Sequence, residues 1–129
     1  MAPTLRPRSL SCCSMLVIAA AAAGMQVVDG VWTDLADMEG LQRLAAQSRR
    51  LGFTGMSLIH PAQIEAVNAA FTPSADEVEY CTRVVNAFDD ARARGEGAVA
   101  FGGQLLDAPI VERARRMLTL ASSIERRSS

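Results

Sequence analysis

The stretch that most limits what this chain can fold into is Gly52-Phe53-Thr54-Gly55-Met56-Ser57-Leu58-Ile59-His60-Pro61, followed at once by Ala62-Gln63-Ile64. Gly52 closes a helical pattern. Met56, Leu58 and Ile59, interrupted by Ser57, read as a short strand covered on both faces, because polar alternation is missing. Pro61 suits the first turn of a following helix, where no N–H is needed. His60 then falls near the N-cap, a position that Ser, Thr, Asp or Asn fills better. Helix, covered strand, helix is the order of a parallel α/β protein, and the strand end is where such proteins place their chemistry. His60 is therefore a candidate site residue, beside the plainer reading of a histidine that packs and bonds locally.

The flanks extend the same order. Gln26–Val31 reads as a short β-branched strand. Thr33, Asp34 and Asp37 offer cap oxygens to a helix over about Met38–Leu51, with Leu41, Leu44, Ala45, Ser48 and Leu51 on its inner face. From Pro61, the residues Ile64, Val67, Asn68 and Phe71 make a short amphipathic helix that Thr72-Pro73 ends. Ser74-Ala75-Asp76-Glu77 is a capping box that opens a long helix to about Arg94, with Val78, Cys81, Val85 and Phe88 as its buried stripe and Gly95 as its stop. Gly102-Gly103 joins Ala98–Phe101 to Gln104–Leu106 as a hairpin. Asp107 or Ala108 then caps a last helix from Pro109, with Ile110, Val111, Ala114, Met117, Leu118 and Ala121 inward and the chain frayed from Ser122.

Composition narrows the function. The chain has 129 residues, half of them apolar, so one domain's core is within reach. A net charge of −1 argues against nucleic-acid or membrane-surface binding through bulk electrostatics. All 13 basic residues are arginine, so a lysine Schiff base is excluded and an aldol-type cleavage would call on a metal instead. Cys12, Cys13 and Cys81 lack metal-site spacing and fit a reducing, cytoplasmic setting. Cys81 lies on a helical stripe and reads as core.

The pattern G-F-x-G-x-x-x-I-H-P-x-Q-I resembles the last barrel strand of the HpcH/HpaI aldolase superfamily, which includes the citrate lyase β-subunit and malyl-CoA lyase. Ala22-Ala23-Gly24-Met25-Gln26-Val27-Val28-Asp29-Gly30-Val31-Trp32-Thr33-Asp34 resembles that family's penultimate strand and loop. Asn68–Ser74 and Gly102–Pro109 resemble its closing helices, so the likeness runs from about Met15 to Ala121. It implies an α/β fold: the last two βα units of a (β/α)8 TIM barrel over residues 15–72, and a helical C-terminal oligomerisation arm with a short hairpin over 73–129. Such barrels take about 250 residues, so this chain is expected to be the C-terminal part of one, truncated at its N-terminus. Residues 1–14 match nothing and are expected to be a disordered lead.

The resemblance also implies chemistry: Mg²⁺-assisted cleavage or formation of a C–C bond in an acyl-CoA ester, with a CoA thioester and a 2-oxo acid as substrates and a homo-oligomer as the working form. It puts Asp29, Gly30 and His60 beside the substrate. It makes Asp107 an acid or base acting in trans, reaching the active site of a neighbouring subunit. Each has a structural rival, a turn aspartate for Asp29 and a helix cap for Asp107. Asp34 and Asp37 read as caps, and Trp32 either covers a ligand or closes the core. Met56 stands where the family usually carries lysine, and Gln104 where it carries a basic residue. The family's metal-binding Glu and Asp lie on earlier strands, so no residue of this chain is expected to bind the metal. Two further readings stay open. One is a non-catalytic remnant or assembly fragment of such a lyase. The other is a small secreted helical protein, with Arg6, Arg8 and the apolar run Met15–Ala23 as a signal peptide over 1–23.

Overall fold

The computed structural model describes residues 9–128 of the chain, which is mixed α/β and mostly helical. The chain divides after Phe71 into two compact units, each with its own core.

The first unit runs α1 (Leu10–Ala22), β1 (Val28–Asp29), α2 (Met38–Leu51), β2 (Gly55–Met56), a 3-10 turn (Pro61–Gln63) and α3 (Ile64–Phe71). Strands β1 and β2 pair in parallel, Val28 opposite Gly55 and Asp29 opposite Met56. The ladder continues just past each end, with the Thr54 amide donating to the Val27 carbonyl at 2.8 Å and the Ser57 amide to the Asp29 carbonyl at 3.0 Å. Helix α2 spans the range that its periodicity predicts. Asp37 caps it through Gly40 N, and Gly52 ends it at φ 104° with the Phe53 amide returning to the Ser48 carbonyl, a Schellman closure. Leu41 and Ala45 of α2 meet Val67 of α3 in the core of this unit, flanked by Trp32, Met38, Met56 and Leu58.

Several expectations need correction here. The strands are two residues each rather than Gln26–Val31 and Met56–Ile59, because a ladder with a single partner lasts only while that partner runs alongside. Nor is the Met56–Ile59 stretch covered on both faces, since Met56 is only partly buried and Ile59 is 52% exposed. On α3, Ile64 and Asn68 face outward, while Gln63 and Val67 are buried. The 3-10 turn winds tighter than an α-helix and so rotates the inward face by part of a turn. The expected disordered lead over 1–14 is helical from Leu10, because Ser9 supplies a cap to the Cys12 amide; residues 1–8 of that lead lie outside the described residues.

The second unit is α4 (Ala75–Ala93), β3 (Val99–Phe101), β4 (Gln104–Leu106) and α5 (Ala108–Ser128). Both halves of the Ser74–Glu77 capping box are made, and the hairpin turns through Gly102 (φ 55°) and Gly103 (φ 81°), the two positive φ values of a type I′ turn. Cys81, Val84 and Phe88 of α4, Leu106 of β4, and Val111 and Ala114 of α5 form one core. Val84 is buried where Val85 was expected, and Ile110 is 39% exposed. Burial pushes the Cys81 thiol above its ordinary pKa, with the Glu77 carboxylate adding to the effect. The expected fraying from Ser122 does not occur. Ser122 and Ser123 return their hydroxyls to the Leu118 and Thr119 carbonyls at 3.0 and 2.8 Å, which fits them inside a helix, and Arg126 and Arg127 suit its C-terminal end.

Candidate functional site

The parallel pairing of β1 and β2 brings two loops side by side at the carboxyl ends of the strands. The first carries Asp29 at its base, then Gly30 and Trp32. The second carries Ile59 and His60. Their geometry follows from a few polar groups. Asp29 is 3% exposed, so its carboxylate requires partners. One oxygen accepts the Gly30 amide at 2.7 Å, and the other accepts the Ser48 hydroxyl of α2, which also faces the Leu44 carbonyl at 2.9 Å. Asp29 therefore ties β1 to α2, and the loop surface is left to the backbone of the exposed Gly30.

His60 caps the 3-10 turn. Its Nδ1 accepts the Ala62 amide at 3.1 Å, and the ring is exposed. With Nδ1 as acceptor, the neutral imidazole carries its hydrogen on Nε2 and offers a donor at the loop corner. Capping and ligand contact are compatible in this residue, because they use opposite nitrogens.

Trp32 belongs to the core of this unit. Its indole packs on the start of α2 and donates from Nε1 to the Asp37 carbonyl at 3.1 Å. Asp37 caps α2 at 2.8 Å, and Asp34 makes a local turn to the Ala36 amide at 3.0 Å. Two residues without an assigned role prove central, Ser48 and Gln63. A serine on the apolar face of α2 was the available signal for the first. Gln63 is fully buried, and its amide joins the two loops, donating to the Trp32 carbonyl at 2.9 Å and accepting from the Ile59 amide at 3.1 Å.

Asp107 lies in the second unit, at the corner between β4 and α5. Its carboxylate accepts the Ile110 amide at 3.1 Å, and its carbonyl accepts the Val111 amide at 3.2 Å, so it caps α5; the side chain is exposed.

A family model described as HpcH/HpaI aldolase/citrate lyase matches residues 6–61. The mouse (Mus musculus) mitochondrial citramalyl-CoA lyase is 36% identical over 110 residues, which are 85% of this chain and 32% of that protein. The citrate lyase subunit beta of Leuconostoc mesenteroides subsp. cremoris is 39% identical over 85% of this chain and 36% of its own length. The crystal structure of CitE from Mycobacterium tuberculosis, in complex with magnesium, acetoacetate and coenzyme A, superposes with a TM-score of 0.73 at 35% identity, over 91% of this chain and 42% of that one. The chain belongs to the HpcH/HpaI aldolase/citrate lyase family. It spans about a third of the length of these curated relatives.

Membership in this lyase family makes magnesium the metal to test against the residues present. Among the described residues no three His, Cys, Asp or Glu side chains come together as a ligand set. Asp29 is turned to Ser48 and Gly30, and Asp34 and Asp37 are bound to backbone amides. A cation that demands near-octahedral oxygen ligands finds no such set here. Among the described residues, too, no helix is long and apolar enough to cross a membrane.

Proposed function

We propose that this chain contributes part of the substrate-binding surface of a carbon–carbon lyase acting on acyl-CoA esters. The Gly30 backbone and His60 would face the CoA ester at the strand ends, with Asp29 bracing the first loop from below. Magnesium, when bound, would polarise the 2-oxo-acid partner and steady an enolate. Its carboxylate ligands would come from outside the described residues. The second unit would act as an oligomerisation arm, carrying Asp107 to a neighbouring subunit as acid or base.

The observation that carries this reading is the parallel β1–β2 pair, with Gly30 and His60 at adjacent strand ends in a chain of this family. An acyl-CoA is long, anionic and rich in acceptors, so the imidazole donor of His60 beside the exposed backbone at Gly30 suits it. Titration of the chain with acetyl-CoA tests the proposal. Saturable binding that weakens in His60→Ala is the expected result, and no uptake of acetyl-CoA at millimolar concentration would sink it. With Mg²⁺ alone, calorimetry should find no single tight site.

That the described residues bring together no three-carboxylate or histidine ligand set also favours a second reading, a non-catalytic assembly piece of such a lyase. Mixing the chain with metal-binding subunits of a family member separates the two. Restored cleavage of a malyl- or citramalyl-type CoA ester favours a catalytic contribution, and association without turnover favours assembly.

A further inference from the structure

We infer that Gln63 is a positioning residue that fixes the spacing between the Gly30–Trp32 loop and the Ile59–His60 corner. The acyl-CoA reading above is what gives that spacing a use. Gln63 is bonded to both loops, and it is fully buried. Its planar amide holds a donor and an acceptor at fixed separation, so one group meets the Trp32 carbonyl at 2.9 Å and the Ile59 amide at 3.1 Å. Had packing alone been needed, an apolar side chain would fill the volume without desolvating an amide. What the amide adds is direction. It satisfies one backbone group on each loop and sets their register, leaving Gly30 and His60 as the exposed groups beyond the clamp.

The chemistry allows the two arms to be cut separately. Gln63→Met keeps the length and removes both hydrogen bonds. Gln63→Glu keeps the acceptor for Ile59 and, when ionised, removes the donor to Trp32. Amide hydrogen exchange on the full chain, read residue by residue by NMR and paired with acetyl-CoA titration, separates positioning from plain stability. In Gln63→Met, exchange at Ile59 and Gly30 should speed up and the His60 ring signals should move, while Leu41 and Ala45 in α2 keep their protection. Acetyl-CoA affinity should fall roughly tenfold or more, the scale expected of a small misplacement. In Gln63→Glu, Ile59 should stay protected and only the Gly30–Trp32 loop should loosen.

Loss of protection throughout α2 in both variants would assign Gln63 to holding the fold and overturn the inference. Unchanged exchange in both loops would overturn it as well, as would loosened loops with undiminished affinity. If the wild-type chain itself takes up no acetyl-CoA, the acyl-CoA reading falls, and the local exchange pattern alone then decides whether Gln63 sets the spacing.

Discussion

A glycine inside a helix ordinarily costs about 0.5–1 kcal/mol relative to alanine, so propensity alone favours Gly40→Ala in α2. The structure reverses that sign. A Cβ at Gly40 would sit 2.5 Å from Trp32 Cζ2 and inside the Asp37 carboxylate that caps the helix. Overpacking of this kind costs about 1–3 kcal/mol, and urea unfolding followed by the fluorescence of the single tryptophan should show a loss in that range. Asp107 gives a second test at this scale. Asn caps nearly as well as Asp, so Asp107→Asn should leave the melting of the second unit almost unchanged. If Asp107 also serves a neighbour's active site, the matching change in a full-length member of the family should abolish proton transfer and spare acyl-CoA binding. Mixing such subunits with metal-site mutants should then recover turnover; a variant enzyme with full activity would leave the residue a cap alone. Cys81 adds a pH dependence. Its pKa is raised on folding, so above the thiol's ordinary value of 9.0 the unfolded chain holds fewer protons than the folded one. The Cys81 contribution is complete below that pH and is lost as pH climbs toward the folded value. Chemical denaturation between pH 8 and 10 should show the decline, and Cys81→Ala should flatten it.

Among elements, the hairpin between β3 and β4 isolates a backbone effect. A Cβ at Gly102 or Gly103 meets nothing within 4 Å, so alanine there would be penalised only for its positive φ. Each Gly→Ala should cost about 1–2 kcal/mol, and asparagine, which tolerates that conformation, clearly less. Thermal melts of the four single variants would check this. The hairpin, the capping box and α2 were legible in the sequence because their signals are local: two glycines, a Ser and a Glu three residues on, an apolar face of helical period. The short β1 and β2 were less so. How long a strand lasts depends on its neighbour, and the apolar Met56, Leu58 and Ile59 carry no mark of how they are covered. The site was legible in the same uneven way. His60 showed itself as an odd N-cap, whereas Gln63 looked like any first-turn polar residue, and its burial follows from the 3-10 turn, which no periodicity announces.

For the whole molecule, the parallel pair sets the main liability. Two parallel strands present open edges, and parallel sheets are normally covered on both faces. Here Val28, Val31 and Ile59 are exposed near the sheet, as are Leu10, Met15, Leu16 and Ile18 on α1. The isolated chain should self-associate with rising concentration in sedimentation experiments and show a broad urea transition. A sharp, concentration-independent, monomeric unfolding would refute this. The two units also differ in how far along the chain their partners lie. In the hairpin, Phe101 meets Gln104 across a two-residue turn, whereas Val28 must wait for Gly55, with all of α2 between them. Short-range contacts close faster, because little chain entropy is lost before they form. A ribosome delivers these units in the opposite order. The slower half emerges before the other and waits, its apolar helix and strand exposed, while the half built to fold quickly is still being made, so of these two units it is the first that most needs a chaperone.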